Sequence, residues 1–292
     1  MHRKDVVIRW LCECVSGSHL PAPPTCLPQI PALLGAGLNV RLQTTVTAIS
    51  TSATGAAVTY TTTPGGPPVT LTAQAVICTI PLGVLKSGSV SFSPALPATH
   101  ANAIARLGMG TLDKLVLSFP TVFWDASVDW LERIPAAPYG TPGYGQWVDW
   151  ASMARCCGHS ILVGFNSAAQ ALALEAQTDE AILASGMAVL RGIYGAGIPD
   201  PTAYVVTRWA ADPFARGSYS YYRLGSSPTD RTNLQAPVGG RLFFSGEHVS
   251  PAYFGTVAGA FLDGQRAASA VADSPFFSTT NAATTPSHTL EL

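Results

Sequence analysis

Charged residues are scarce in this 292-residue chain. Asp, Glu, Lys and Arg make up 11% of the residues, whereas hydrophobic residues make up 47%. The formal net charge is −1, so the chain lacks the basic surplus typical of nucleic-acid binding, and we expect no nucleic-acid partner. Long apolar runs are absent as well. No segment reaches the roughly 18 uninterrupted apolar residues of a membrane span, so we expect none.

Informative cysteine spacing is also missing. The six cysteines form no C-x-x-C pair and no spacing typical of zinc, so we predict no metal site. Cys78 lies in an apolar run and is expected to be an inert core thiol. For Cys12/Cys14 and Cys156/Cys157, redox partners and metal ligands stay open, but ordinary reduced thiols are favoured. Reduced thiols and the lack of a clean secretory signal favour an intracellular location, in cytoplasm or peroxisome.

A complete dinucleotide-binding motif is the third absence. Three segments match only the first half of G-x-G-x-x-G, namely Gly35–Gly37, Gly108–Gly110 and Gly195–Gly197. None of them connects a buried strand to a crossover helix, as that motif requires. We therefore interpret all three as turns or helix ends.

The segments that are present alternate between strand and helix patterns, which predicts a mixed α/β fold. The predicted strands are Val40–Leu42, Val46–Ile49, Ala57–Thr62, Val69–Thr72, Val76–Ile80, Thr111–Phe119, Gln146–Trp150, Ile161–Asn166, Ala203–Trp209 and Leu242–Phe244. The predicted helices are Leu27–Gly37, Ala101–Arg106, Thr178–Tyr194 and a final helix from about Thr256. Because Val76–Ile80 is a nearly continuous apolar run that ends at Pro81, we expect it to be buried on both faces.

The run Leu242–Ala272 carries the most functional information. It predicts a buried strand, a Gly246-Glu247 turn, an aromatic loop and the final helix. Small side chains in the first helical turn let a planar ligand approach the backbone, and free N–H groups there favour negative charge. The Glu247 carboxylate would repel a phosphate but can accept hydrogen bonds from sugar hydroxyls. These features suit the isoalloxazine and ribityl end of a flavin.

Four segments in this order resemble the flavin-containing amine oxidase family, most closely its polyamine oxidase and lysine demethylase branch. They are Gly37–Ile49, Val76–Pro97 with Leu107–Asp125, Arg208–Tyr222 and Leu242–Ala272. The likeness extends over residues 27–272.

The resemblance implies a Rossmann-like FAD-binding domain that lacks its N-terminal βαβ unit, with an inserted substrate domain of mixed sheet and helices. The expected limits are 27–92 with 235–273 for the first domain and 93–234 for the second. Residues 1–26 stay unassigned, and 274–292 are expected to be a disordered tail. Because this unit is missing, we predict that the chain binds FAD weakly. Three explanations of the missing unit stay open: the chain is a fragment, a gene model that starts too late, or a degenerate relative.

The resemblance also implies roles for single residues. Lys114 matches a lysine that holds a water near flavin N5, and Trp209 matches a residue that packs beside the ring. Tyr219 matches a tyrosine in an aromatic wall that guides the amine toward the ring. The remaining matches contact the cofactor: Val46 with its backbone at the adenine, and Gly246, Glu247, Thr256 and Val257 at the flavin.

Each role has a simpler alternative. Without the resemblance, Lys114 is best interpreted as a strand lysine whose ammonium reaches water. Val46 reads as a plain strand valine, Trp209 and Tyr219 as core aromatics, and Glu247 as a surface acid. We expect His248 to be a solvated loop histidine rather than an acid or base.

The attachment of the cofactor follows from two further positions. Thr256 and Ser218 stand where monoamine oxidases carry a second tyrosine and the flavin-linked cysteine. We therefore expect FAD to be bound non-covalently.

The resemblance implies FAD-dependent amine oxidation, most like that of a polyamine oxidase. Hydride would pass from the carbon next to a secondary amine to the flavin, and O2 would reoxidise the flavin to give H2O2. The partners would be a small-molecule amine or polyamine and O2. Two alternatives stay open: a non-catalytic remnant that serves as a binding or dimerisation module, and part of a flavin-type lysine demethylase.

Overall fold

The computed structural model describes residues 29–135, 138–141 and 143–278. The unassigned segment 1–26 with Cys12 and Cys14, and the tail from 279, lie outside the described residues. In chain order the strands are β1 Thr45–Thr51, β2 Ala56–Thr61, β3 Val69–Ala73, β4 Val76–Cys78, β5 Ser91–Ser93, β6 Gly108–Gly110, β7 Leu112–Ser118, β8 Trp130–Glu132, β9 Asp149–Ser152, β10 Ile161–Ser167, β11 Ala203–Val206, β12 Tyr219–Tyr221 and β13 Leu242–Phe244.

Helices are interspersed among these strands, so the predicted mixed α/β fold is confirmed. They are α1 Gln29–Leu34, α2 Leu82–Ser87, α3 Ala98–Arg106, α4 Ala154–Cys157, α5 Ala168–Glu175, α6 Asp179–Tyr194, α7 Pro228–Gln235, α8 Val257–Ala272 and α9 Pro275–Ser278. A short 3-10 helix covers Glu247–Val249.

The chain forms two compact units. One holds Arg41–Gly110 and the described residues from Asp212 onward; the other holds Thr111–Ala211 and the described residues up to Val40. The domain limits expected from the sequence, at 92/93 and 234/235, differ from these divisions and stay a prediction.

The Thr111–Ala211 unit is built on a five-stranded antiparallel sheet with strand order β11-β7-β10-β9-β8. Leu115 and Leu117 of β7 face a core that includes Trp150 and the buried residues Ile182 and Leu190 of helix α6. Because strand side chains alternate between faces, intervening residues form a second, smaller cluster around Val116.

Helix α6 is specified locally. The Thr178 side chain caps it by accepting a hydrogen bond from Ala181 N at 3.2 Å, and two acidic residues follow in the first turn. Gly195, with a positive φ, ends the helix. The predicted helix Thr178–Tyr194 is confirmed to within its capping residue.

The other unit contains a four-stranded sheet of order β3-β2-β1-β5 and two strand pairs, β13-β4 and β12-β6. Its core gathers buried side chains from β13, β4 and α2 around Phe244, Cys78 and Leu82. The predicted hairpin around the Pro-Gly-Gly-Pro-Pro turn is confirmed, since Tyr60 of β2 pairs with Val69 of β3.

Three expectations about local structure are wrong. Val40–Leu42 forms no strand; Leu42 is exposed, and a positive φ at Gln43 breaks the extended backbone. Strand β4 is not buried on both faces, because Cys78 faces the core whereas Ile77, on the opposite face, is 40% exposed. Beyond Ser274, which is buried, Pro275–Ser278 forms a helical turn where disorder was expected.

Helix α8 is 16 residues long but buries only a narrow stripe, made of Gly259, Asp263 and Ala267. Val257 and Phe261 on its other sides are exposed. Among the described residues, no helix has the length and apolar character needed to cross a bilayer.

Candidate functional site

The turn after β13 depends on a glycine. Gly246 has φ 133°, a backbone conformation that side-chain-bearing residues rarely adopt. Its N–H donates to Asp263 Oδ2 at 3.1 Å, and Arg266 pairs with the same carboxylate and donates to Phe244 O at 2.8 Å. Asp263 and Arg266, which sequence reasoning missed, therefore fix this turn to helix α8.

The Glu247 carboxylate lies at the centre of the site. It accepts hydrogen bonds from Ser220 N at 3.0 Å, Ser220 Oγ at 2.7 Å and Gly255 N at 2.6 Å. These bonds tie β12 to the loop that leads into α8. Since a carboxylate offers about four lone-pair positions, roughly one remains for a ligand hydroxyl. The expected contact with a sugar hydroxyl stays a prediction.

A buried cation supports this carboxylate from the same unit. Arg231 is fully buried, and its Nη1 donates to Ser220 Oγ and to His248 O, each at 2.8 Å. Its guanidinium lies 4.6 Å and 4.3 Å from the ring centroids of Tyr222 and Phe254. Burial removes water from the guanidinium, and this desolvation lowers the pKa of Arg231. The cation–π contacts offset part of its energetic cost. No local motif in the sequence indicated this residue.

His248 is buried, so the expectation of a solvated histidine is wrong. The 3-10 helix turns its ring inward against Gly246, where a Cβ would lie 3.1 Å from two ring atoms. Burial lowers the pKa of His248 to about 4, so the imidazole is neutral at pH 7. A buried neutral ring here acts as packing for the turn.

The start of α8 is closely packed on its loop side. Thr256 Oγ1 accepts from Gly259 N at 2.9 Å and donates to Tyr253 O at 2.6 Å. A Cβ on Gly259 would lie 1.9 Å from Tyr253 O, so only glycine permits this approach. Within the described part of the chain, the N–H groups of Val257 and Ala258 have no protein acceptor. The helix start thus presents two free donors to a ligand.

Tyr219 flanks this helix start. It pairs with Gly110 across β12 and β6, is 37% exposed, and lies 3.7 Å from where a Cβ on Gly255 would be. The structure therefore brings Tyr219, Glu247 and Thr256 together, with Gly246 and Val257 adjoining them in sequence. Val46 lies on β1 of the same unit, half-buried against its core, and its backbone role stays a prediction.

Lys114 belongs to the other unit. It lies half-buried on β7, opposite Phe165 of β10, and its Nζ is 5.7 Å from the Phe165 ring centroid. Burial lowers the pKa of Lys114, and the charge of Asp113 opposes that shift. The side chain is thus neither fully solvated nor neutralised by an ion pair among the described residues.

Two carboxyl groups hold the backbone around Trp209. Asp113 Oδ1 accepts from Trp209 N at 3.0 Å, and Glu175 accepts from Ala210 N and Ala211 N, both at 2.8 Å. The indole itself is 39% exposed, so Trp209 is not a core aromatic. Sequence reasoning missed both carboxyl groups, since they come from β7 and the end of α5.

A family comparison decides the identity of the chain. The model of the flavin-containing amine oxidoreductase family matches residues 15–272. The chain belongs to this family. Membership in a flavin-containing family confirms FAD as the cofactor that the sequence predicts.

Several curated proteins are similar to this member of the family. It is 39% identical over 204 residues to Protein FLOWERING LOCUS D of Arabidopsis thaliana, which covers 68% of the chain and 25% of that relative. It is 38% identical over 226 residues to Possible lysine-specific histone demethylase 1 of Drosophila melanogaster, covering 70% and 25%. The chain thus spans about a quarter of the length of these curated relatives.

Solved structures confirm the fold. A putrescine oxidase variant superposes with a TM-score of 0.69 at 21% identity, covering 85% of this chain and 53% of that one. Cyclohexylamine oxidase from Brevibacterium oxydans gives a TM-score of 0.58 at 22% identity, covering 78% and 48%.

The residues of the Arg41–Gly110 and Asp212–Ser278 unit fit one end of a flavin. The two free N–H groups at the start of α8 match the acceptor-rich edge of an isoalloxazine ring. The exposed Tyr219 adds an aromatic face beside them. Ser218, which cannot form a thioether, precedes this tyrosine, in keeping with non-covalent binding.

Proposed function

We propose that this chain forms part of the flavin site of an enzyme that oxidises the carbon next to an amine nitrogen. The observation that carries the proposal is the open start of α8, with free Val257 and Ala258 N–H groups beside an exposed Tyr219, in a member of this family. The start of α8, with Glu247 and Tyr219 beside it, would hold the flavin, which would supply a hydride acceptor for that carbon and pass the electrons on to O2.

The chain's own residues would prepare the substrate and the ring environment. The start of α8 binds an electron-rich edge through its donors. The exposed Tyr219 ring offers an apolar surface to the substrate. A substrate that loses its water there does so at lower cost as the neutral amine, the form that oxidation requires. Lys114 supplies a half-buried positive charge, which favours electron transfer to O2.

For the substrate, we favour a methylated lysine side chain. The relatives at 38–39% identity carry the name of lysine-specific histone demethylases or of Protein FLOWERING LOCUS D. A polyamine is the second candidate, supported by the resemblance of the Arg208–Tyr222 and Leu242–Ala272 segments to polyamine oxidases. Both substrates present a secondary amine next to a C–H bond, so the same residues serve either one.

Flavin binding is the first test. The purified chain is incubated with FAD and desalted, and retained flavin is measured by absorbance. Val257→Asp puts a negative charge at the helix start, which stabilises the helix by roughly 0.3–1 kcal/mol but repels the electron-rich flavin edge. We expect this variant to lose flavin without losing stability, whereas Ala268→Asp, farther along the exposed side of α8, retains it.

A folded chain that retains no flavin at any FAD concentration would contradict the proposal. That result, with native circular dichroism, would favour the non-catalytic binding module.

The substrate is tested separately on the flavin-loaded chain. An N-methyl-lysine peptide should yield formaldehyde and peroxide in equal amounts, and spermine or spermidine should yield little. If only the polyamines yield peroxide, a polyamine becomes the favoured substrate in place of methylated lysine. Loaded chain that oxidises neither would reject amine oxidation.

A further inference from the structure

The described cysteines differ sharply in their surroundings. Cys78 is buried in the core, and burial raises the pKa of its thiol to about 11, which makes it a poor nucleophile. Cys156 is exposed and Cys157 is half-buried. Their sulfur atoms lie only 2.9 Å apart. Two neighbouring sulfurs at this distance, one of them on an exposed residue, form a dithiol rather than two independent side chains.

The surrounding backbone explains the convergence. Cys156 and Cys157 end the one-turn helix α4, which Met153 N-caps and Gly158 terminates in the left-handed conformation. Gly158 N donates to Ala154 O at 2.9 Å, and Cys157 N to Met153 O at 3.3 Å. The dithiol therefore lies in the connection between β9 and β10, outside their ladder of paired residues.

We infer that Cys156 and Cys157 are a reversible peroxide-oxidation site, in which the two thiols close to a vicinal disulfide. The site involves neither the start of α8 nor Lys114, so the inference goes beyond the proposed function and does not rest on it. Hydrogen peroxide, the oxidant that amine oxidation would release, is its chemical partner.

The reaction balances in two steps. The Cys156 thiolate attacks one peroxide oxygen, which breaks the O–O bond, forms a sulfenic acid and releases water after proton transfer. The Cys157 thiolate then attacks the Cys156 sulfur and expels hydroxide, which takes up a proton. In sum, two thiols and one H2O2 give one disulfide and two waters, with both thiols oxidised and the peroxide reduced.

The product should be easily reduced. Adjacent Cα atoms lie about 3.8 Å apart, closer than the roughly 4.4–6.8 Å that unstrained disulfides prefer. Strain raises the reduction potential of a disulfide, so cellular thiols would reopen it. Closure would alter the β9–β10 connection and leave the paired strands intact.

The test uses the full chain in a background that carries Cys12→Ser, Cys14→Ser and Cys26→Ser. The chain is treated with H2O2, alkylated and digested with trypsin, and the peptide that begins at Cys156 is weighed. We expect it to lose two hydrogen atoms and both alkylation sites, and to regain them after treatment with a phosphine reductant. Cys78 should stay a thiol throughout, as an internal control.

A second variant identifies the order of attack. With Cys157→Ser no second thiol can resolve the intermediate, so dimedone should label Cys156 after peroxide treatment, whereas the background chain should lose this label. Circular dichroism before and after oxidation checks that the fold is retained. A peptide that stays fully reduced, or a Cys156 that proceeds to sulfinic acid while Cys157 is present, would overturn the inference. Since peroxide is added directly, neither result bears on amine oxidation.

Discussion

Single carboxyl groups position the residues most relevant to the candidate site. Glu247 joins β12 to the loop before α8, and Asp263 holds the Gly246 turn against the same helix. In the other unit, Asp113 and Glu175 accept the consecutive N–H groups of residues 209–211. Carboxyl groups that accept backbone N–H bonds restrict the conformations open to the loops that carry those N–H groups.

Asp113 predicts a pH dependence of stability. Burial, reinforced by the nearby Glu175 carboxyl, raises the pKa of Asp113 to about 6 in the folded chain, against about 3.9 when unfolded. Between these values the folded state binds more protons, so this group's contribution to the free energy of unfolding falls as pH rises from about 4 to about 6. Asp113→Asn, which keeps the Oδ1 acceptor, should remove that fall.

Denaturant unfolding, followed by tryptophan emission at several pH values, measures the effect. The stability of Asp113→Asn relative to the parent should increase across this window and stay constant above it. Asp200→Asn, at a side chain that is 80% exposed, should show no comparable change. Parallel pH curves for parent and Asp113→Asn would show that the carboxyl does not titrate there.

Lys114 predicts a kinetic effect in the flavin-loaded chain. Lys114→Met removes the half-buried charge while keeping most of the apolar stem, so reoxidation by O2 should slow by about tenfold or more, equivalent to about 1.4 kcal/mol. Stopped-flow absorbance after mixing reduced chain with O2 gives the rate. Lys114→Arg keeps the charge and should retain most of it. Equal reoxidation rates in the parent and both variants would show that the Lys114 charge has no role in the reaction with O2.

At the level of elements, helix α8 combines a tightly packed start with an exposed body. Its first turn is capped by Thr256 and closes on Tyr253, whereas Phe261 and Leu262 remain exposed. A helix that buries so narrow a stripe derives more of its stability from its cap than a fully packed helix does.

Two glycines on α8 make a matched pair. Gly259→Ala places a Cβ against Tyr253 O, whereas a Cβ at Gly264 meets nothing within 4 Å. We expect Gly259→Ala to lower the free energy of unfolding by about 1–3 kcal/mol through overpacking. Gly264→Ala should raise it by about 0.5–1 kcal/mol through helix propensity. Thermal and urea unfolding measure both; destabilisation of equal size at the two positions would contradict the close approach at the helix start.

At the level of the whole molecule, each unit has its own hydrophobic core. The clusters around Leu115 and Val116 draw only on residues of the Thr111–Ala211 unit. The cluster around Phe244 draws on both chain segments of the other unit. The core of the Thr111–Ala211 unit is therefore built from one continuous stretch of chain, whereas the core of the other unit combines two separate stretches.

This arrangement predicts that the excised segment Thr111–Ala211 folds alone. Its five-stranded sheet and helix α6 bury their apolar faces against each other, which gives the segment a core of its own. Cooperative urea unfolding and dispersed amide NMR signals should show it. Leu117→Asp, which places a charge in the core, should abolish both, whereas exposed Leu172→Asp should not. An excised segment that behaves as a molten globule would refute the independence of this core.

The sequence by itself determined the features that depend on neighbouring residues. The Thr178 cap and Gly195 stop defined α6, alternating residues around a glycine-proline turn defined the β2–β3 hairpin, and the small residues after Thr256 indicated the helix start. The ordered motifs identified the family, because a functional site requires particular residue types at fixed spacing.

Only the tertiary structure decided which polar groups are buried and paired. The ring of His248 turns inward, the buried Arg231 donates to Ser220 Oγ and His248 O, and Asp113 accepts from Trp209 N. Burial depends on which distant segments cover a residue, and no local pattern encodes that. For the same reason the apolar run at β4 did not reveal that Ile77 would stay exposed. Interactions between residues close in sequence determine the helices and strands, whereas the desolvation that shifts the pKa of each site residue arises only when the chain has folded.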